Sequence, residues 1–297
     1  MRILLTGKTG QVGHELERSL HGLGEIVALD RSQLDLSDLD QVRDVVRTVK
    51  PTLIINPAAY TAVDKAESEP ELAMRINGEA PGVMAEEARK IGAAMIHYST
   101  DYVFDGSKDR PYLETDPTCP VNVYGRTKLA GEQAVQAAGI PHLIFRTSWV
   151  YGMYGKNFLL TMMRLAQERD ELRIVADQHG SPTWSGTIAD STAAVVAKSI
   201  QAPDANDWLR QHSGIYHLTC QGQTTWHGFT QAIVEATMTG KKPVLTPIST
   251  QDYPLPAKRP AYSVMFGGKF ISNFSDLPSW ESALASCLQK KTFSDSV

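Results

Sequence analysis

Gly7, Gly10 and Gly13 stand between an apolar run over 2–6 and a segment in which Val12, Leu16 and Leu20 recur at helical spacing. A strand that turns through three such glycines into a helix has few stable settings. Gly7 permits the tight turn, Gly10 lets backbone come close to a pyrophosphate, and Gly13 lets the helix pack tightly on the strand. The free amides and positive dipole end of the helix then face the phosphates. With 22 glycines in 297 residues the pattern arises by chance in about one chain in eight, so its surroundings must carry the inference.

Those surroundings alternate between strand and helix. The run 25–29 reads as a strand ending at Asp30. Ser37 with Asp40 suggests a capping box ahead of a helix carrying Leu39, Val42, Val45, Val46 and Val49. Pro51 ends that helix, and the unbroken apolar run 53–55 suits a strand buried on both faces. Helical spacing follows from Pro70 and over 79–91, then strands over 95–99 and 142–147, with a helix opening near Tyr124 between them. This alternation predicts an α/β fold, a Rossmann-type doubly wound parallel sheet with a smaller C-terminal substrate-binding lobe. The second half is less regular, with helices expected over 157–168, 187–201 and 226–238 and strands over 172–175 and 215–218. The expected division is a dinucleotide-binding unit over 1–150 and a mainly substrate-binding lobe over 151–297, with segments of about 172–218 returning to the first sheet. Residues after Lys290 are expected to fray.

Asp30 lies about twenty residues beyond the first glycine, where a carboxylate can accept hydrogen bonds from an adenosine ribose. Arg31 adjoins it and could pair with the 2′-phosphate of NADPH, which Asp30 would repel. Either NADH or NADPH fits. Tyr124 and Lys128 form the only Y-x-x-x-K in the chain, one helical turn apart on one face. Hydride reduction of a ketone creates an alkoxide that needs a proton as it forms, and a placed tyrosine can supply it. The lysine ammonium is expected to draw the phenol down from its usual pKa of about 10, and the same lysine can hold the nicotinamide ribose. A third hydroxyl, to hold the carbonyl, is offered by Ser99 or Thr100 where a strand ends. Alternation points the two to opposite sides, and pattern leaves the choice open.

Composition excludes several other classes. A formal net charge of −4 without a block of either sign gives no reason to expect nucleic acid or an anionic membrane as partner. No apolar stretch is long enough to span a bilayer. Cys119, Cys220 and Cys287 are odd in number and widely spaced, which argues against a disulfide framework or zinc site and for a reducing compartment. The N-terminus reaches Gly7 before a signal-peptide apolar region could form, so the cytoplasm is expected. His14, His97 and His217 lack metal-like spacing, and no metal is expected.

Five segments carry a resemblance: LLTGKTGQVG at 4–13, NPAAYTAVDKAE at 56–67, YSTDYVFDG at 98–106, VYGRTKLAGE at 123–132 and FRTSWVYG at 145–152. Over most of the first 185 residues the chain resembles the nucleotide-sugar reductases of the extended short-chain dehydrogenase/reductase family. The resemblance implies an NADH- or NADPH-dependent oxidoreductase that reduces the C4 ketone of a dTDP-linked keto-sugar, in nucleotide-sugar biosynthesis for cell-surface polysaccharide. It implies that Thr100, not Ser99, binds the carbonyl, with Thr100 and Asp101 touching the sugar. Gln11 and Val12 would contact the cofactor phosphates, Asp35 and Leu36 would lie near the adenine, and Ala58, Ala59 and Tyr60 would line the cofactor channel. Trp149 would pack against substrate, and Asn157 and Phe158 would approach the nucleotide base.

The chain also departs from that family. A stretch usually reading R-P-x-N-S-x-L is here Arg259-Pro260-Ala261-Tyr262-Ser263-Val264-Met265, with tyrosine in place of asparagine. Some relatives join as dimers through magnesium held by glutamates. Glu15 is present, but Gly186 occupies what looks like another ligand position, so a homodimer is admitted without a metal. Two other readings stand beside the reductase. One is an epimerase or dehydratase on the same scaffold, which keeps its nicotinamide bound; the other is a non-catalytic regulatory subunit.

Overall fold

The computed structural model describes residues 1–294, with side chains through 289. Its first strand, β1 (Arg2–Leu5), turns into α1 (Gln11–Ser19), and the same rhythm continues through β2 (Glu25–Ala28), α2 (Leu39–Val49) and β3 (Leu53–Asn56). Next come α3 (Pro70–Met74 and Ala80–Ile91, joined through a π turn at Arg75–Glu79), β4 (Ala94–Thr100), α4 (Val123–Ala137) and β5 (His142–Thr147). A sixth strand, β6 (Gly214–His217), completes a sheet in the order β2-β1-β3-β4-β5-β6. Every pairing in it is parallel. The order reverses between β1 and β3, so the loops leaving those strands part and a crevice opens beyond their carboxyl ends.

A parallel sheet must be covered on both faces. Period-two alternation sends Ile3 and Leu5 to one face and Leu4 to the other. On the first face, Leu16 and Leu20 of α1 and Ile188 and Val195 of α6 (Ser185–Gln201) pack against Ile3, Leu5, Ile55 and Phe145. On the second, Val42, Val46, Met84 and Val135 of α2, α3 and α4 meet Leu4, Ile54, Met95 and Ile144. The doubly wound α/β architecture expected from the alternation is what the chain builds.

The remaining core lies in a second lobe. There α5 (Phe158–Glu168), α7 (Trp226–Thr237) and α8 (Trp280–Ser294) gather around Leu159, Leu172, Phe229, Ile233, Trp280 and Leu284. The return to the large sheet is narrower than 172–218. Within that range α6, the short helix Ala205–Gln211 and β6 rejoin it, whereas Glu171–Val175 pairs with Val244–Ile248, a strand the sequence did not announce. Two local expectations also change. Asp38, not a Ser37–Asp40 box, caps α2, its carboxylate accepting from the amides of Asp40 and Gln41, while the Ser37 hydroxyl turns back to Asp35. The two helices expected from Pro70 and over 79–91 form one rod. Finally, α8 is described as far as Ser294, past Lys290, and residues 295–297 lie outside the described residues. Among the described residues no helix is long and apolar enough to cross a membrane.

Candidate active site

The glycine turn is shaped by contact rather than by freedom alone. Gly7 has φ +59°, and a Cβ on it would sit 2.9 Å from the Cβ of Ala58, in the loop after β3. A Cβ on Gly13 would lie 2.1 Å from the Gly7 carbonyl oxygen. Bare backbone from β1 and β3 therefore meets directly beneath the start of α1. Gly10 is the N-cap of that helix, so no side chain occupies its amides and no acidic residue stands in its first turn. Such an end is suited to an anionic group.

From this turn a cleft of about 730 Å³ opens. The turn contributes Gly7, Gly10, Gln11, Val12 and Gly13, and the segment after β2 contributes Arg31, Asp35 and Leu36. Ala58, Ala59 and Tyr60 line it from the loop after β3; Ser99, Thr100 and Asp101 from the end of β4; Tyr124 and Lys128 from α4; and Trp149 from beyond β5. Gln11 Oε1, Ser99 Oγ and Thr147 Oγ1 are buried there without a hydrogen-bond partner. Buried polar atoms normally have one, so these three fit a polar ligand laid along the cleft. The residues present thus suit a dinucleotide.

Three expected residues stand elsewhere. Asp30 does not line the cleft: its carboxylate accepts from the Ser32 amide at 2.9 Å and hydroxyl at 2.6 Å, which hold its pKa below the usual carboxylate value, with Lys8 at 3.7 Å. Arg31 is the residue that faces the cleft, 3.5 Å from Asp35. Asn157 caps α5, accepting from the Leu160 amide and donating to the Gly152 carbonyl. Phe158 turns into the second-lobe core against Trp226 and Phe229. In that stretch Gly155 and Lys156 line the cleft instead.

Helix α4 is pinned by close backbone approaches. Asn122 caps it through the Gly125 amide, and a Cβ on Gly125 would lie 2.1 Å from the Tyr102 carbonyl oxygen. The π turn in α3 contributes buried Asn77, which donates to Thr127 Oγ1 at 3.1 Å and exchanges hydrogen bonds with the backbone of Tyr60. One side chain therefore ties α4 to the loop after β3. π turns recur at such functional positions, and no hydrophobic period marks them.

These supports bring three groups together. Tyr124 and Thr100 line the same cleft, and the Thr100 hydroxyl donates to Asp101 at 3.0 Å. Ser99 shares the cleft but makes no such bond. Lys128 is 2% exposed, and its Nζ donates to the Tyr98 carbonyl at 2.6 Å. Burial brings the Lys128 ammonium down to about 8 and pushes the Tyr124 phenol up to about 12, neighbouring Thr100 opposing that rise. The expected lowering of Tyr124 by Lys128 is thus not what this geometry does. The lysine stem carries its charge toward β4, and Thr100 is the group that eases the phenol's ionisation. Burial also lifts the Asp101 carboxyl to about 6, opposed by Ser263 and by hydrogen bonds from Thr100 and Ser148.

The divergent 259–265 stretch reaches across from the second lobe. Arg259 forms a two-pronged ion pair with Asp64, Nη2 to Oδ2 being 2.7 Å, and the Tyr262 hydroxyl meets Gln223 at 2.9 Å. Ser263, whose hydroxyl donates to the His179 carbonyl at 3.5 Å, helps to hold down the Asp101 pKa. Gly186 lies beneath the Trp184 ring, where a Cβ would be 2.4 Å from ring carbon, and Glu15 accepts from Arg18. Neither forms a metal cluster among the described residues. Sequence reasoning missed Asn77, Lys156 and Trp226 as neighbours of this site, while Arg259 and Ser263 belong to the divergent stretch it had singled out.

The family described as RmlD substrate binding domain matches residues 1–293. The chain is 49% identical over 296 residues to a dTDP-4-dehydrorhamnose reductase of Burkholderia thailandensis, covering 97% of this chain and 98% of that one. It is 47% identical over 290 residues to the Escherichia coli K12 enzyme of the same description, covering 95% of each. Among solved structures, a dTDP-4-dehydrorhamnose reductase from Bacillus anthracis in complex with NADP superposes with a TM-score of 0.88 at 35% identity, over 97% of this chain and 99% of that one.

Proposed function

Because the chain belongs to the RmlD substrate binding domain family, we propose that it reduces the C4 ketone of dTDP-4-dehydro-L-rhamnose to give dTDP-L-rhamnose, with NADPH or NADH as reductant. The observation that carries this reading is Thr100, Tyr124 and buried Lys128 lining one cleft at the sheet's switch point. Residues 1–150 hold the dinucleotide, and most of 151–297 shapes the sugar-nucleotide side. Cysteines that form no disulfide among the described residues suit the cytoplasm as its setting.

When bound, the reduced nicotinamide supplies the hydride. The chain's own residues manage the proton and the carbonyl. Thr100 fixes the ketone oxygen beside Tyr124, and Tyr124, protonated at neutral pH, holds the proton that oxygen needs. Lys128 places a buried cation at the floor of the cleft, held by the Tyr98 carbonyl, where it would meet the nicotinamide ribose. Positioning does the rest, since both reactants are held by parts remote from the reacting atoms.

The test is absorbance at the reduced-nicotinamide band on adding the keto-sugar. Consumption of one NADPH per sugar supports a reductase. Sugar conversion without net consumption would mean an epimerase or dehydratase, and no conversion plus a co-purifying enzyme would mean a regulatory subunit.

Two expectations follow from the charges. With its ammonium titrating near 8, Lys128 should keep kcat/KM flat up to about that pH. Above it the rate should fall, approaching tenfold per pH unit. Stability runs the other way: between about 8 and 10.5 the unfolded chain binds this proton and the folded chain does not, so the lysine's contribution rises with pH across that window. A pH-rate profile with no alkaline limb below pH 10 would remove Lys128's charge from the reaction. Arg31→Ala should raise KM for NADPH by about fivefold and leave KM for NADH nearly unchanged, the modest size reflecting an exposed side chain. Equal shifts for both cofactors would place Arg31 off the 2′-phosphate.

A further inference from the structure

Trp149 stands at φ +47°, a backbone setting that residues with a Cβ rarely adopt. Two second-lobe residues hold it there. The Trp226 ring stacks on it with centroids 3.5 Å apart and planes within 4°. A Cβ built on Gly180 would lie 2.3 Å from Trp149 Cε2, 2.6 Å from Nε1 and 2.7 Å from Cζ2. Those three distances fit an approach perpendicular to the ring over Cε2, and only glycine leaves room for it. A close stack covers one face, so Gly180 lies against the other. Trp226 is itself fixed, its indole N–H donating to Gln178 Oε1 at 3.1 Å and its ring backed by Phe158 at 4.5 Å.

With both faces taken, Trp149 offers the cleft its edge and its Nε1–H, which has no hydrogen-bond partner among the described residues and is not fully buried. An indole N–H beside an apolar body finds an acceptor when a ligand covers it. We propose that Trp226, with Gly180, is a positioning residue that turns Trp149 edge-on, so that Trp149 donates a hydrogen bond to an oxygen of the sugar instead of stacking on it. The clamp lies in the second lobe while Trp149 leaves the first, so sugar selection depends on how the lobes meet. This rests on the sugar-nucleotide reading above.

The experiment compares the wild type with Trp226→Leu and Trp226→Phe. Two indoles stacked this closely should give a paired positive and negative band in near-ultraviolet circular dichroism, lost in both variants. Trp226→Leu should raise KM for the keto-sugar by about tenfold, the loss of roughly one hydrogen bond, with dinucleotide Kd from fluorescence titration unchanged within about twofold. Trp226→Phe keeps a flat ring and should recover most of that loss. The proposal is overturned if the wild type lacks the paired bands, if sugar KM is unchanged in Trp226→Leu, or if sugar and dinucleotide affinities fall together. Absence of turnover in the wild type would remove the reductase reading and this one with it, whereas turnover with unchanged sugar KM in the variant removes this one alone.

Discussion

Phenylalanine in place of Tyr124 is expected to lower kcat by about 10²- to 10⁴-fold, the usual worth of a placed proton donor, while dinucleotide Kd stays within about threefold. The separation between the two follows from what the hydroxyl touches. The neighbouring Thr100 hydroxyl keeps its bond to Asp101 when the phenol oxygen is removed. The ring's edge-on packing against Tyr102, with centroids 5.8 Å apart, needs no hydroxyl. Helix α4 is held by Asn122, Gly125 and Asn77, none of which depends on Tyr124 Oη. The variant should therefore fold and bind cofactor normally, yet hold substrate without protonating it. Single-turnover kinetics with saturating NADPH would check this, since they separate chemistry from product release. A variant turning over at the wild-type rate would take Tyr124 out of the mechanism and leave Thr100 or Asp101 as proton donor.

The parts of this site that could be read from sequence are those set by short-range pattern. Gly7, Gly10 and Gly13 announce themselves because their spacing belongs to one strand–turn–helix unit, even though what crowds Gly7 is Ala58 of the loop after β3. Tyr124 and Lys128 do so because one helical turn sets their relation. What escaped is long-range or irregular. Arg259 meets Asp64 across 195 positions, and Trp226 meets Trp149 through a lobe whose strands are only a few residues long. Asp30 shows local capture of another kind: Ser32, two residues on, takes one oxygen of its carboxylate in a local turn. The same competition moved the α2 cap from Ser37 to Asp38. Such short-range capture depends on loop dihedrals that hydrophobic periodicity does not encode.

Glu132→Ala should be the most destabilising single change near the site, by about 3–5 kcal/mol, because it breaks a buried ion pair from one side. The Arg146 guanidinium gives Glu132 two parallel hydrogen bonds of 2.9 and 2.7 Å, with both side chains at most 2% exposed. Its remaining nitrogen, Nη1, has no partner, and its cation lies 5.1 Å over the Phe104 ring. Without Glu132 no carboxylate is left in hydrogen-bond contact with that charge, and the core between α4 and β5 must take in water or unfold. For a chain of this size the melting temperature should fall on the order of 10 °C. Glu132 also lies one turn beyond Lys128, and its negative charge is what supports the lysine's proton against burial. Glu132→Gln keeps the shape and some of the hydrogen bonding, so it should fold more readily and report the second effect. Its alkaline limb should move below pH 8, narrowing the active range without altering the neutral-pH chemistry. An Ala variant melting within about 2 °C of the wild type would show that the pair is balanced by groups other than Glu132. A Gln variant with an unmoved limb would show that Lys128 holds its proton by the Tyr98 carbonyl alone.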